Sequence, residues 1–275
     1  MLDLDLAVFV LPTWELPVLM CIGLVAGLLG GLLGIGGGVV MIPAIALLLG
    51  RDIHLAQAAS MNVIFFVAAP AVVRHWRAGV VRLHVVSRIL PFALIGVVAG
   101  VTVSIWVPND DLSMIFGLFL LYVLYENVRH VVQDRKLQPG ERPDPPNVTW
   151  PRGGAVGTTA GFGAGLLGIG GGLLTVPLTQ MICRCPLREC IACSSAVMCI
   201  TSIVGAAYKN ITLPDVPGIQ QDIMWYTPIG IAIWLIPTCL IGSWFGAKLT
   251  HTLPLRVVRT VFIILVAASA SKMLF

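Results

Sequence analysis

The sequence contains one eight-residue stretch twice, as Gly31-Leu-Leu-Gly-Ile-Gly-Gly-Gly38 and as Gly165-Leu-Leu-Gly-Ile-Gly-Gly-Gly172. A shift of 134 positions superimposes the two copies and also places Pro43 on Pro177. Eight consecutive identities at a single shift indicate an internal duplication. Because each copy is a glycine cluster within apolar sequence, it predicts a broken helix in each half of the chain.

The duplication extends well beyond the glycine clusters. A second shift, of 146 positions, aligns Leu94-Ile-Gly96 with Leu240-Ile-Gly242 and Pro108 with Pro254. The larger shift allows for a longer loop in the second half. Only the proline-rich stretch 129–152 has no counterpart, and we interpret it as the linker between the two halves.

The composition predicts a membrane protein. Of the 275 residues, 57% are hydrophobic and 11% are charged, and the mean hydropathy is +0.94. A soluble domain has about 25% charged residues. The net charge of +4 is too small to indicate a nucleic-acid partner, so we expect the lipid bilayer to be the main surroundings of the chain.

Long apolar segments set the predicted architecture, since about 20 residues of helix cross a bilayer. We predict an all-α polytopic membrane protein of two inverted repeats, each a glycine-tipped helical hairpin plus three transmembrane helices. The first repeat covers 1–128, with a hairpin over 16–49 and helices over 55–73, 89–107 and 112–128. After the cytoplasmic linker 129–152, the second repeat covers 153–275, with a hairpin over 153–182 and helices over 190–208, 223–247 and 257–274.

Basic residues near membrane segments predict the orientation, because Lys and Arg stay on the cytoplasmic side. One such loop contains the four arginines between 74 and 88, and the other is the linker 129–152 with its basic residues. Placing both loops inside leaves only Arg51, Lys209 and Lys272 outside and puts both termini on the outer side. The expected location is the bacterial cytoplasmic (inner) membrane.

The glycine clusters are the first candidate site. Helical pieces that begin near Gly38 and Gly172 would present unpaired N–H groups and a partial positive charge at mid-membrane depth, where an anion could bind. The alternative is close helix packing, which we prefer for Gly23, Gly27 and Gly31 because of their spacing of four. The predicted substrate-binding glycines are Gly34, Gly36, Gly37, Gly38, Gly168, Gly170, Gly171 and Gly172.

Polar residues within apolar segments are the next candidates, because the bilayer makes them costly unless they line a cavity or find partners. Ser60 and Ser194 coincide under the first shift, and with Asn62 and Ser195 they are predicted to bind substrate. Hydrogen bonding between helices is the alternative for each. A second set is proposed for proton coupling or gating, with anchoring at the membrane interface as the alternative: Gln57, His75 and Lys209, with His54 and His84 as weaker candidates.

Cysteines concentrate in the second half, at 183, 185, 190 and 193. Their spacing differs from the paired C-x2-C units typical of zinc sites, so no metal is predicted. We interpret them as small apolar fillers, and the alternative is a transient thiol contact with a sulfur-containing substrate. No cofactor and no catalytic residue are expected.

The doubled Ala-Gly-x3-Gly-Leu-Leu-Gly-Ile-Gly-Gly-Gly…Pro motif, followed by Arg74-His-Trp-Arg-Ala-Gly79, resembles the TauE/SafE sulfite exporter family over the whole chain. The resemblance implies a bacterial membrane transporter of sulfite, sulfonates such as sulfoacetate, or related organosulfur anions, often acting as an exporter. It also implies that the glycine clusters are the family signature. The cysteine cluster departs from the family pattern.

Together these observations predict a secondary transporter that exports a small sulfur-containing anion by alternating access, with the anion held at the midplane between two hairpin tips. One alternative is an importer of thiosulfate or another reduced sulfur species that uses cysteine relays. Two others are a membrane-embedded enzyme of sulfur metabolism and a non-transporting assembly subunit. The expected partners are the small anion and the bilayer.

Overall fold

The computed structural model describes residues 14–33, 36–133, 148–219, 223–249 and 255–274. All regular structure within these ranges is helical. The first half contains α1 (Glu15–Leu33), α2 (Gly38–Leu48), α3 (Ile53–Arg77), α4 (Leu83–Trp106) and α5 (Asn109–Gln133). The second contains α6 (Trp150–Leu167), α7 (Gly172–Cys183), α8 (Leu187–Thr212), a 3₁₀ turn (Leu213–Asp215), α9 (Thr227–Leu249) and α10 (Leu255–Leu274).

Six of these helices are long and apolar enough to cross a membrane: α1, α3, α4, α5, α8 and α9. This confirms the predicted all-α polytopic membrane protein. Several helix boundaries were predicted wrongly. Helix α3 runs to Arg77 rather than 73, and α5 runs to Gln133, so residues 129–133 are helical rather than linker. A hydropathy profile does not detect polar terminal turns of this kind. They are nevertheless stable as helix, because cations near a helix C-terminus are favourable.

Each predicted hairpin consists of a long helix and a short one. Helix α2 has 11 residues and α7 has 12, which is about 16–18 Å at 1.5 Å per residue, or half of the hydrocarbon core. A Cβ atom at Gly37, just before α2, would lie 2.8 Å from the carbonyl oxygen of Ala26. Helix α2 therefore starts beside the middle of α1 rather than beside its end.

Polar contacts define two ends of the helix bundle. At the Glu15 end, Arg51 forms an ion pair with Glu15, and Asn109 donates a hydrogen bond to Asp52. These contacts bring together the start of α1, the end of α2 and the starts of α3 and α5. At the Arg82 end, Arg82 pairs with Glu189 and Arg88 donates to the carbonyl of Val148. The first hairpin thus opens at the Glu15 end and the second at the Arg82 end.

The most extensive helix contacts join one half of the chain to the other. Helix α1 packs in parallel along α9, and α6 packs in parallel along α4. The remaining large contacts pair α3 with α8 and α5 with α10. If each helix is replaced by its equivalent in the other half, α1 by α6 and so on to α5 by α10, the same set of pairs results.

Glycines form the seams of the two parallel pairs. Cβ atoms at Gly23, Gly27 and Gly31 of α1 would lie 2.1–2.5 Å from atoms of α9. Cβ atoms at Gly157 and Gly161 of α6 would lie equally close to carbonyl oxygens of α4. Since no side chain fits at such distances, the structure confirms the packing role predicted for the glycines at a spacing of four.

We expect Gly161→Ala to destabilise the protein by about 1–3 kcal/mol, the usual cost of overpacking a tight contact. The added methyl group would lie 2.3 Å from the carbonyl oxygen of Ala93. Gly154→Ala in the same helix is the matched control, because its nearest neighbours are ring atoms of Phe92 at 3.5 Å. Thermal melting in detergent should show a lower Tm for Gly161→Ala alone, and equal melting of the two variants would contradict the tight seam.

Candidate functional site

The two glycine clusters lie next to each other in the centre of the bundle. A Cβ at Gly36 would lie 2.9 Å from Met198 Sδ, and one at Gly170 would lie 2.7 Å from Ile64 Cγ2. Ile64 is close to the middle of α3, and Met198 is close to the middle of α8. Both tips therefore stop halfway along the spanning helices.

The backbone at the tips requires glycine. Gly36, Gly37, Gly168, Gly170 and Gly171 have φ angles between +72° and +83°. Other residues pay about 1–2 kcal/mol in this left-handed region. All five glycines are buried. Gly34 also belongs to the predicted site but lies outside the described residues.

The N-termini of α2 and α7 face each other at this point. A Cβ at Gly38, the first residue of α2, would lie 3.2 Å from the Cα of Ile169, just before α7. In α7 the first N–H groups that donate to a backbone carbonyl are those of Leu174 and Thr175, which bond to Gly171. The N–H groups of Gly172 and Leu173 have no backbone acceptor within the described ranges. Two positive helix ends meet here, and an anion between them would stabilise both.

Two side chains of α3 add unpartnered polar atoms to the tips. Ser60 is 0% exposed, and its Oγ has no hydrogen-bond partner among the described residues, although it would lie 3.0 Å from a Cβ at Gly38. Gln57 packs against Gly168 and donates through Nε2 to the carbonyl of Leu166 at 3.2 Å, but its Oε1 has no partner in the described part of the chain. A buried polar atom without a partner costs about 1–3 kcal/mol, which a bound ligand would recover at Ser60.

The corresponding serines of α8 differ from Ser60. Ser194 donates to the carbonyl of Ile191 at 3.0 Å, and Ser195 donates to the same carbonyl at 2.7 Å. Their hydroxyl hydrogens are thus used within their own helix. The hydroxyl of Thr201, which was not predicted as a site residue, lies 3.4 Å from the carbonyl of Gly170 at the second tip.

Ile64 and Met198 fill the space between the tips, and sequence reasoning missed both. Each lies within contact distance of positions in both glycine clusters, as the neighbours of Gly36, Gly38, Gly170 and Gly172 show. The signal that could have found them is the shift of 134 positions, which places Ile64 on Met198.

Asn62 lies away from the tips. Its side-chain amide forms reciprocal hydrogen bonds with that of Asn210, at 3.1 and 3.2 Å. The pair lines a mainly apolar cavity of about 470 Å³ between α3, α8 and the start of α9. The cavity also contacts Met61 and Ser202, which lie within a turn of Ile64 and Met198 respectively.

The candidate coupling residues occupy three different places. Gln57 belongs to the tips, as described above. His75 lies in the last turn of α3 and is partly exposed. Lys209 is 0% exposed near the opposite end of the bundle, where it contacts His54 and Ser104. His75 and Lys209 coincide in the sequence alignment of the two halves but are not neighbours.

The cysteine cluster lies at the Arg82 end, where Cys193 Sγ is 3.4 Å from the backbone nitrogen of Arg82. Cys185 lies between α7 and α8. Its burial, with a smaller effect of the neighbouring thiols, raises the pKa of its thiol to about 11. Since the thiolate is the reactive form, this environment does not favour a cysteine relay. Among the described residues, no group of three or more His, Cys, Asp or Glu side chains has an arrangement that could hold a metal ion.

Comparisons with known proteins agree with this architecture. The chain is 27% identical over 280 residues to "Probable membrane transporter protein MamO" of Magnetospirillum gryphiswaldense, covering 92% of this chain and 44% of that protein. It thus spans less than half the length of the first relatives it matches. It is 26% identical to "Probable membrane transporter protein MJ0441" of Methanocaldococcus jannaschii (86% of each chain) and to "Probable membrane transporter protein YunE" of Bacillus subtilis (84% of this chain and 86% of that protein).

No solved structure matches the chain. Residues 19–273 match the family described as "Sulfite exporter TauE/SafE". This match covers nearly all of both hairpins and of the helices around them. With its six candidate spans and its transporter relatives, the chain belongs to the sulfite exporter TauE/SafE family of multi-pass membrane transporters.

Proposed function

We propose that this transporter exports a small sulfur-containing anion, such as sulfite, sulfoacetate or a related sulfonate, by alternating access. The anion would bind at the midplane between the N-termini of α2 and α7. Such opposed half-helices inside the membrane are typical of secondary-transporter sites. An inside-negative membrane potential favours the exit of one negative charge by about 2.3 kcal/mol per 100 mV, which supports export.

The observation that carries the proposal is the meeting of two positive helix ends beside the unpartnered Ser60 hydroxyl. Without an anion, the two positive helix ends repel each other. The Ser60 hydroxyl and the first N–H groups of the helices then lack acceptors at a depth where the bilayer core supplies no water. The three oxygens of a sulfite or sulfonate group would accept from both helix ends and from Ser60 at once. Of the predicted polar side chains, Ser60 is therefore the donor in our proposal. Ser194 and Ser195 donate within α8, and Asn62 pairs with Asn210, so we assign none of these three a direct hydrogen bond to the anion.

Alternating access would act through Ile64 and Met198. Their side chains fill the gap between the tips in the described conformation, so substrate entry requires that they move. Because they come from equivalent positions of α3 and α8, the two helices could move in turn and open the site first to one side and then to the other.

The orientation in the membrane follows from the charges and is part of the proposal. The Arg82 end carries Arg82, Arg88, Arg184 and Arg188, which favours the cytoplasmic side of the inner membrane. The Glu15 end would then face outward. The opposite openings of the two hairpins support two inverted repeats, 1–128 and 153–275.

The proposal can be tested by thermal stabilisation of the purified protein in detergent. Sulfite, sulfoacetate, taurine, thiosulfate, sulfate and chloride would be compared at equal ionic strength. A ligand at one hundred times its Kd stabilises the folded state by about 2.7 kcal/mol. We expect at least one sulfur anion to raise the Tm, and we expect chloride not to do so at the same concentration.

A Gly37→Val, Gly171→Val double variant serves as the negative control for the site. Both positions have φ angles near +80°, so valine would distort both tips. The proposal fails if no sulfur anion stabilises the wild-type protein, or if the double variant folds and responds equally. Export would then be tested with the responding anion in proteoliposomes carrying an imposed potential.

A further inference from the structure

Lys209 is a fully buried amine with neutral partners. Its Nζ lies 2.5 Å from Ser104 Oγ on α4 and 3.2 Å from His54 Nδ1 on α3. His54 Nε2 lies 3.1 Å from the carbonyl of Val107, which can only accept, so Nε2 carries the hydrogen. With a neutral imidazole ring, the His54 Nδ1 lone pair accepts from Lys209.

No carboxylate pairs with Lys209 in the part of the chain that the structure describes. A buried ammonium ion without a counter-charge is costly, so an anion that binds nearby would favour the protonated form of Lys209. Among the described residues, the other ionisable groups at this end are exposed or bonded elsewhere: Glu15 to Arg51, Asp52 to Asn109, Tyr208 to Thr102, Tyr226 against Trp225, and the exposed Asp110, Asp111, Asp215 and Lys272.

One face of α3 connects Lys209 to the glycine tips. His54, Gln57 and Ser60 follow one another at intervals of three residues, and all three are 0% exposed. The six residues from His54 to Ser60 correspond to about 9 Å along the helix axis. The protein between Lys209 and the tips is buried, so it screens charges weakly. A positive charge on Lys209 therefore attracts an anion at the tips over this short distance.

We propose that Lys209 is the proton site of this transporter and that it takes up a proton when the anion binds between the tips. The proposal rests on the function proposed above and adds its coupling ion. The proton binds to the lone pair of Nζ and forms an ammonium group that donates to His54 Nδ1 and Ser104 Oγ. Its release returns the neutral amine, while His54 keeps its hydrogen on Nε2. A dianion that leaves with one proton still carries one negative charge outward, so the membrane potential still favours its export.

The test measures the affinity of the purified protein for sulfoacetate between about pH 6 and pH 9, where this ligand stays fully ionised. In the wild-type protein, the Kd should rise about tenfold or more with pH as Lys209 loses its proton. Lys209→Met keeps the length and packing of the side chain but cannot bind a proton. Its Kd should stay at the weak, high-pH value throughout.

Two further variants separate coupling from a structural role. Lys272→Met, at the exposed lysine of α10, should behave like the wild-type protein. Ser104→Ala removes one acceptor of the ammonium group, so the pH at which the affinity changes should move down while the change itself remains. A purely structural Lys209 predicts no such movement.

The same proteins in proteoliposomes with a trapped pH indicator give a second readout. Entry of sulfoacetate should acidify the lumen with the wild-type protein and with Lys272→Met, but not with Lys209→Met. Sulfoacetate binding with the same pH dependence in Lys209→Met and the wild-type protein would overturn this inference and leave the proposed function standing. If no sulfur anion binds the wild-type protein at any pH, both fail together.

Discussion

Gly38→Val is expected to abolish binding of the transported anion, weakening it by at least about a hundredfold, or about 2.7 kcal/mol. Gly38 has no positive φ angle, so valine suits the local backbone. The valine side chain would, however, enter the gap between the tips. Its Cβ alone would lie 2.9 Å from Ile64 Cδ1 and 3.0 Å from Ser60 Oγ. The measurement is the anion-induced Tm shift, together with flux in proteoliposomes.

A graded series distinguishes a blocked site from a damaged fold. Gly38→Ala adds a single methyl group and should weaken binding less than Gly38→Val. Gly154→Ala is the control, because Gly154 has no positive φ angle, its Cβ would meet only ring atoms of Phe92 at 3.5 Å, and it lies near the start of α6, away from the tips. If Gly38→Val melts like the wild-type protein without ligand and still binds the anion normally, the substrate is not held between the helix ends.

Ser60→Ala should weaken anion binding by about 10- to 150-fold, since a hydrogen bond to a charged group contributes about 1.5–3 kcal/mol. The same change should leave the ligand-free protein equally stable or more stable, because the Ser60 hydroxyl bonds to none of the residues that the structure describes. A loss of affinity without a loss of stability is characteristic of a binding residue. Binding isotherms and thermal melting of the same preparation would measure both effects.

Ser194→Ala is the matched control, because Ser194 occupies the equivalent position in the other half of the chain. Its hydroxyl hydrogen is used by the carbonyl of Ile191, so it has none to donate to an anion. We expect its affinity to stay within about threefold of the wild-type value, which is less than 1 kcal/mol. Equal losses in Ser60→Ala and Ser194→Ala would show that the hydroxyls act as a symmetric pair and would contradict the difference in hydrogen bonding between the two serines.

The sequence predicted the helical architecture from two strong signals. The repeated glycine clusters located the helix breaks at the tips, and the apolar segments located the spanning helices. The ends of α3 and α5 could not be predicted, because Arg74, His75 and Arg77 resemble a loop by hydropathy although they complete a helical turn. The partner of each glycine seam was also beyond the sequence, since the glycine faces of α4 and α9 are chemically alike.

The sequence predicted the glycines that shape the backbone of the candidate site, but it predicted only some of the side chains there. The glycines of the tips and Ser60 could be found because they recur in both halves. The different hydrogen bonding of Ser60 and Ser194 depends on side-chain rotamers that no sequence pattern encodes. The contact between His54 and Lys209 joins residues 155 positions apart, and it depends on how α3, α4 and α8 are aligned along their axes.

The parallel seam between α1 and α9 affects how the protein is made. Helix α1 leaves the ribosome well before α9, so its glycine face has to wait for about 200 residues until α9 follows. At about 5–20 residues per second, this delay is on the order of 10–40 s. Gly23, Gly27 and Gly31 stay in contact with lipid or with the insertion machinery during that time, so the seam between α1 and α9 can form only after α9 has been synthesised.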